Sequence, residues 1–157
     1  MDEESFSSRG TITAIHTAPT HGARPVPQPD VQAVAGKGLE GDRHFGEDGA
    51  SDVTLIEAEA IAAAAADYDI ELHAGAHRRN LTTVDVPLNH LVGSRFFVGE
   101  IEFEGVNLCE PCSHMASIVG EREAVSALVH RGGLEARILT TGHVRRGDPV
   151  RWRGAEE

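Results

Sequence analysis

From Glu100 to Val106 the chain alternates, with Glu100, Glu102 and Glu104 on one set of positions and Ile101 and Phe103 on the other. A period of two with charge on one side and bulk on the other describes an antiparallel strand with one wet face and one face on a core. Several shorter segments read the same way. Gly10 to His16 sets Thr11, Thr13 and Ile15 against Ile12, Ala14 and His16, and strands are also expected at Val31 to Val34, Val53 to Ile56, Asn80 to Val86, Arg95 to Val98, Leu134 to Thr140 and Pro149 to Trp152. The last two are expected to be joined by a Gly142 to Gly147 turn.

Two helices interrupt this series. Glu57 to Ala66 has the alanine and glutamate content of a good helix former. Gly120 to His130 repeats Val125, Leu128 and Val129 at helical steps, with Glu121 and Glu123 toward its start and Gly132 and Gly133 beyond its end. Between Thr17 and Asp30 stand Pro19, Gly22, Pro25, Pro27 and Pro29, so no central strand can run there and a surface loop is expected. Many short strands without regular βαβ spacing predict a mainly β (α+β) fold, a closed or half-closed barrel carrying two or three short helices. At 157 residues one domain is expected over 1–157, with its core at about 10–152.

Charge narrows the function classes. Acidic residues outnumber basic ones 25 to 14, a net charge of −11, which disfavours a surface that tracks a nucleic-acid backbone. The longest apolar run, the alanine-rich stretch ending at Ala66, falls far short of the roughly 20 residues that span a bilayer, so no membrane association is expected. The opening MDEES lacks the basic residues and apolar stretch of a secretory signal, and a cytoplasmic location is expected.

Lys37 is the only lysine beside thirteen arginines. Acidity without lysine suggests adaptation to high salt, where a Debye length of about 3 Å screens the repulsion among surface carboxylates. The melting temperature is therefore expected to rise from dilute to molar KCl, and a midpoint indifferent to salt would refute a halophilic origin.

The residues that could carry chemistry fall in three places. Cys109 and Cys112, in NLCEPCSHM, fit three readings: a zinc site completed by His114 and a distant histidine, a redox dithiol, or two small buried side chains. His44 closes GLEGDRH, where Gly38 and Gly41 permit an unusual backbone path and Asp42, Arg43 and His44 come together; a tight turn with an internal Asp–Arg pair fits equally. Arg78, Arg79 and Asn80 form a second polar knot at the entry to a strand, and in so acidic a chain neighbouring guanidinium groups suggest a fixed anion or surface carboxylates as partners. His16, His21, His90, His130 and His143 show no second ligand at metal spacing, and Gly75 between His73 and His77 argues against a rigid helical pair. The phosphate-loop, serine-hydrolase and HExxH patterns are missing from the sequence.

Taken in order, the N-terminal strand at Gly10 to His16, GLEGDRH at Gly38 to His44, RRNLTT from Arg78, the segment ending at Gly93, Pro111-Cys112 and the closing TTGHVRRGDPV resemble the MOSC family, named for the C-terminal domain of molybdenum cofactor sulfurases. The chain is most similar to its small stand-alone members. The resemblance implies a strand-rich barrel and a pterin-bound molybdenum cofactor, which a recombinant host need not supply. It further implies a Cys112 thiolate as molybdenum ligand and catalytic residue, Arg43, His44, Arg78 and Asn80 facing the cofactor, Arg43 or Arg78 on its phosphate, Asn80 on its pterin, and Cys109 as an auxiliary thiol. The implied activity is reduction of small N-hydroxylated substrates with electrons from an external redox partner. The alternatives are a sulfur carrier that forms a cysteine persulfide and a zinc-binding structural module.

Overall fold

The computed structural model describes residues 8–47, 49, 51–68, 79–109 and 132–153. Its strands are β1 (Ser8–Thr17), β2 (Val26–Gln28), β3 (Asp30–Val34), β4 (Gly38–Leu39), β5 (Val53–Glu57), β6 (Leu81–Val84), β7 (Arg95–Val98), β8 (Ile101–Leu108), β9 (Leu134–Ile138), β10 (Gly142–Arg145) and β11 (Pro149–Trp152). Among the described residues one α-helix, α1 (Ala58–Tyr68), follows β5, and a 3-10 turn covers Leu88–Leu91. The second expected helix, Gly120 to His130, lies outside the described residues. Among the described residues, no helix is long and apolar enough to cross a membrane.

Seven strands close into a barrel in the order β11, β7, β8, β9, β5, β6, β1, and β1 completes the ring by pairing with β11. Closure removes the open sheet edges that would otherwise invite further pairing. β1 can serve three neighbours because it is long. Ser8 to Thr11 pair with β11, Thr11 to Ile15 with β6, and Ile15 to Thr17 with β2. A register shift between Ile12 and Ala14 is the bulge that makes this workable. Strict alternation would put Ile12 and Ile15 on opposite faces, yet both are fully buried in the core.

The glutamate-alternating segment behaves as expected. In β8, Ile101, Phe103 and Gly105 are buried while Glu102 and Glu104 are only partly covered. Phe103 sits directly opposite Phe96 of β7, the two rings stacked with centroids 5.5 Å apart. With Leu55, Leu81, Leu134, Ile138 and Val150 they fill the barrel.

Two expectations are corrected. The proline-rich stretch is not wholly loop, since Val26–Gln28 forms β2; among the described residues it pairs only with β1, and an edge position tolerates Pro27 because the missing N–H is not required by a second neighbour. The expected Gly142 to Gly147 turn is mostly strand β10, which pairs with β3 in a second, three-stranded sheet β10-β3-β4. Val144 is buried there, and Gly142 lies so close to Ile101 that a Cβ would stand 2.8 Å from its Cγ1. Packing, not turn composition, decides that segment. The structure also holds one βαβ unit, because β5 and β6 are parallel and α1 lies in the crossover between them, packed on both strands.

Candidate functional site

The end of β1, the residues leading into β6, the end of β8 and the start of β9 meet through two buried polar side chains. Asn80, immediately before β6, is 4% exposed. Its Oδ1 accepts hydrogen bonds from the Thr54 amide and hydroxyl, each at 3.1 Å, and its Nδ2 donates to the His16 carbonyl at 3.1 Å. The Asn80 carbonyl accepts from the His16 amide at 2.7 Å. Asn80 therefore bolts β5 to β1 across β6, and among the described residues the second hydrogen of its amide meets no acceptor.

Arg79 is also buried. Its Nε donates to the Gly132 carbonyl at 2.7 Å and its Nη2 to the Cys109 carbonyl at 3.5 Å. The Cys109 amide donates to the Gly133 carbonyl at 2.8 Å, so the end of β8 and the approach to β9 are joined directly and then capped by one guanidinium. Those two carbonyls mark where the chain departs for residues 110–131 and where it returns. Cys109 itself is buried.

The GLEGDRH turn is stitched to the same end of β1. Gly38 and Gly41 have φ of +116° and +89°, values that favour glycine and give the turn its unusual path. Asp42 is buried, its Oδ1 accepting from the Ala18 amide at 3.0 Å and from Arg43 Nη1 at 3.4 Å, while the Arg43 amide donates to the Ala18 carbonyl at 2.7 Å. The turn does contain an internal Asp–Arg pair. Arg43 keeps its side chain only 10% exposed, and most of its five donors remain uncommitted to Asp42.

Of the expected site residues, Arg43 and Asn80 are thus tied to one strand end through Ala18 and His16, and Cys109 joins them through Arg79. His44 goes elsewhere. Its ring is exposed, Nδ1 lying 3.0 Å from Glu47 Oε1. Arg78 and Cys112, with His73, His77 and His114, lie outside the described residues.

His16, Asp42 and Arg79 were not singled out individually by sequence. Simple alternation groups His16 with Ile12, but the bulge after Ile12 separates them, so no local pattern marks it; burial holds its imidazole below the usual histidine range, favouring the neutral ring. His21, which shows no partner by spacing, is brought to Glu47 with Nε2 2.9 Å from Oε2. A separate cleft of about 580 Å³ between α1 and the 3-10 turn is lined by Glu57, Glu59, His90 and Gly133. Burial there pushes the Glu57 carboxyl up, against the pull of the Leu88 amide that it accepts at 2.9 Å.

Chemically, this end of the barrel presents the Arg43 donors that Asp42 does not take, an imidazole that burial favours in its neutral form, and the Asn80 amide. That set suits an anion.

Comparisons with known proteins agree with the fold. The MOSC domain profile matches residues 40–151. The crystal structure of the YuaD protein from Bacillus subtilis is similar, with a TM-score of 0.78, 17% identity, and 91% of this chain and 94% of that one covered. YiiM from Geobacillus stearothermophilus has a TM-score of 0.73 at 18% identity, covering 91% of this chain and 74% of that one. YiiM from Escherichia coli has a TM-score of 0.70 at 20% identity, with coverage of 95% and 71%. A comparison with curated protein sequences finds no match.

Proposed function

Because this chain belongs to the MOSC domain family, we propose that it binds a pterin-bound molybdenum cofactor and reduces small N-hydroxylated compounds with electrons from a separate reductase. The observation that carries this reading is the Arg79 clamp, which fixes both ends of the segment that contains Cys112. A thiol that must meet a metal in one place needs its segment anchored, and a rigid strand end supplies the anchor.

The cofactor, when bound, supplies the two-electron chemistry. The chain supplies the rest. Cys112 is the molybdenum ligand in this proposal, a soft thiolate suited to a metal already held by sulfur, and coordination keeps it deprotonated at neutral pH. Arg43 or Arg78 serves the cofactor's phosphate, Arg43 through donors that Asp42 leaves open. The spare Asn80 amide hydrogen serves the pterin. His44, turned outward onto Glu47, is left out of this set. Overall, the N–O bond of the substrate breaks, two electrons and two protons are consumed, and the oxygen leaves as water.

Chain isolated from its natural host is expected to carry molybdenum and pterin in equal, near-stoichiometric amounts. Protein free of both, bearing a persulfide on Cys109 or Cys112, would instead support the sulfur carrier; zinc bound through cysteine would support the structural module.

A further inference from the structure

We propose that His21, His44 and Glu47 form a binding site for a divalent transition-metal ion of the zinc class, on the outer side of the turn that carries Arg43. One ligand atom from each of the three lies within 4.8 Å of the other two. Tetrahedral zinc with bonds of about 2.1 Å sets its ligand atoms about 3.4 Å apart, so modest side-chain rotation closes the difference. The two rings meet edge to face, with centroids 5.1 Å apart and planes at 80°. Glu47 already spans both, with one oxygen 2.9 Å from His21 Nε2 and the other 3.0 Å from His44 Nδ1. Two imidazoles and one carboxylate make a donor set that zinc accepts, with a fourth position open to water.

The framework under these side chains is built before any ion arrives. His21 belongs to the loop after β1, and His44 and Glu47 to the turn after β4. The two segments are locked together by the Ala18 amide on buried Asp42 and by the Arg43 amide on the Ala18 carbonyl. Within the turn, the Phe45 amide donates to the Asp42 carbonyl, the Gly46 amide to Lys37, and the Glu47 amide to His44. Such support is what holds metal ligands in place. Hydrogen bonding among exposed imidazole and carboxylate groups gives little stability by itself, so those backbone contacts, not the side-chain bonds, keep the three groups together. The bound ion would tie the loop after β1 onto the turn that presents Arg43. This site is independent of the molybdenum reading and survives its failure.

Titration of the full chain with Co(II) and with Zn(II) tests it. The expected result is one ion per chain with a cobalt spectrum free of thiolate charge transfer, which separates this site from Cys109 and Cys112. His21→Ala and Glu47→Gln should each weaken that binding by more than the roughly 10–100-fold that removing a supporting group costs. Both side chains are exposed, so circular dichroism should show both variants folded. Absence of a thiolate-free cobalt signal, or its persistence unchanged in both variants, would overturn the proposal.

Discussion

Cys112→Ser protein is expected to lose N-hydroxyl reduction by at least about 10³-fold and to retain little molybdenum, while remaining folded. Three decades correspond to about 4 kcal/mol of transition-state stabilisation, a scale in keeping with loss of a group in direct contact with the reacting centre. Serine preserves the size of the side chain but replaces a soft, readily ionised thiol with a hard hydroxyl that stays protonated at neutral pH. Cys109→Ser is the informative partner. Cys109 is held by its backbone, its amide on Gly133 and its carbonyl on Arg79, and those bonds do not depend on sulfur. The Cys109 variant should therefore keep most of its activity, at the expense of some stability for a buried hydroxyl. Molybdenum analysis alongside turnover decides the assignment, because full occupancy in the Cys112 variant would exclude this thiol as the ligand.

The fold was legible in sequence wherever alternation was governed by one face of one sheet. β8 is such a case, with Glu102 and Glu104 outward and Ile101 and Phe103 inward. Sequence was blind where a strand changes partners. The bulge between Ile12 and Ala14 turns Ile15 inward, and no local pattern announces it, since it answers to β6 and β11 on opposite sides of β1. The Gly142 to Arg145 segment was misread for a related reason. Its strand character comes from pairing with Asp30–Val34, more than a hundred residues away, while its glycines suggest a turn.

At the candidate site, sequence marked the polar clusters without separating roles inside them. Arg43 and His44 are adjacent, yet one side chain is covered beside Asp42 and the other is exposed on Glu47. Arg79 and Asn80 are adjacent as well. One reaches the carbonyls of Cys109 and Gly132 and the other the backbone of His16 and Thr54. Those choices follow from the strand order, in which β5 and β1 flank β6 and β9 and β8 lie beyond β5, a property of the barrel and not of the motif. The partnership of His21 with Glu47 spans 26 residues and depends on the Ala18–Asp42 contact, so histidine spacing could not disclose it.

Gly133→Ala is expected to destabilise the chain by about 3–5 kcal/mol, a large share of the 5–15 kcal/mol by which domains of this size are stable. Gly133 has φ +108°, and a Cβ there would stand 2.0 Å from the Leu55 carbonyl oxygen and 3.3 Å from the Ile56 Cα. Those neighbours are backbone atoms of β5 and cannot rotate away. Left-handed geometry alone costs an L-residue about 1–2 kcal/mol. Moving the start of β9 to relieve the overlap would also strain the Cys109 amide on the Gly133 carbonyl, and a buried amide without its acceptor costs about 1–3 kcal/mol. Gly147 isolates the backbone term, because its φ is +93° but nothing lies within 4 Å of its Cβ position, so Gly147→Ala should cost only the left-handed penalty. Urea unfolding of both variants measures the difference, and equal losses would mean that β9 does not seat on β5 at this point. The same displacement would pull Gly132 from Arg79, so cofactor retention in the Gly133 variant should fall further than global unfolding alone explains, whereas the Gly147 variant should retain cofactor in proportion to its folded fraction.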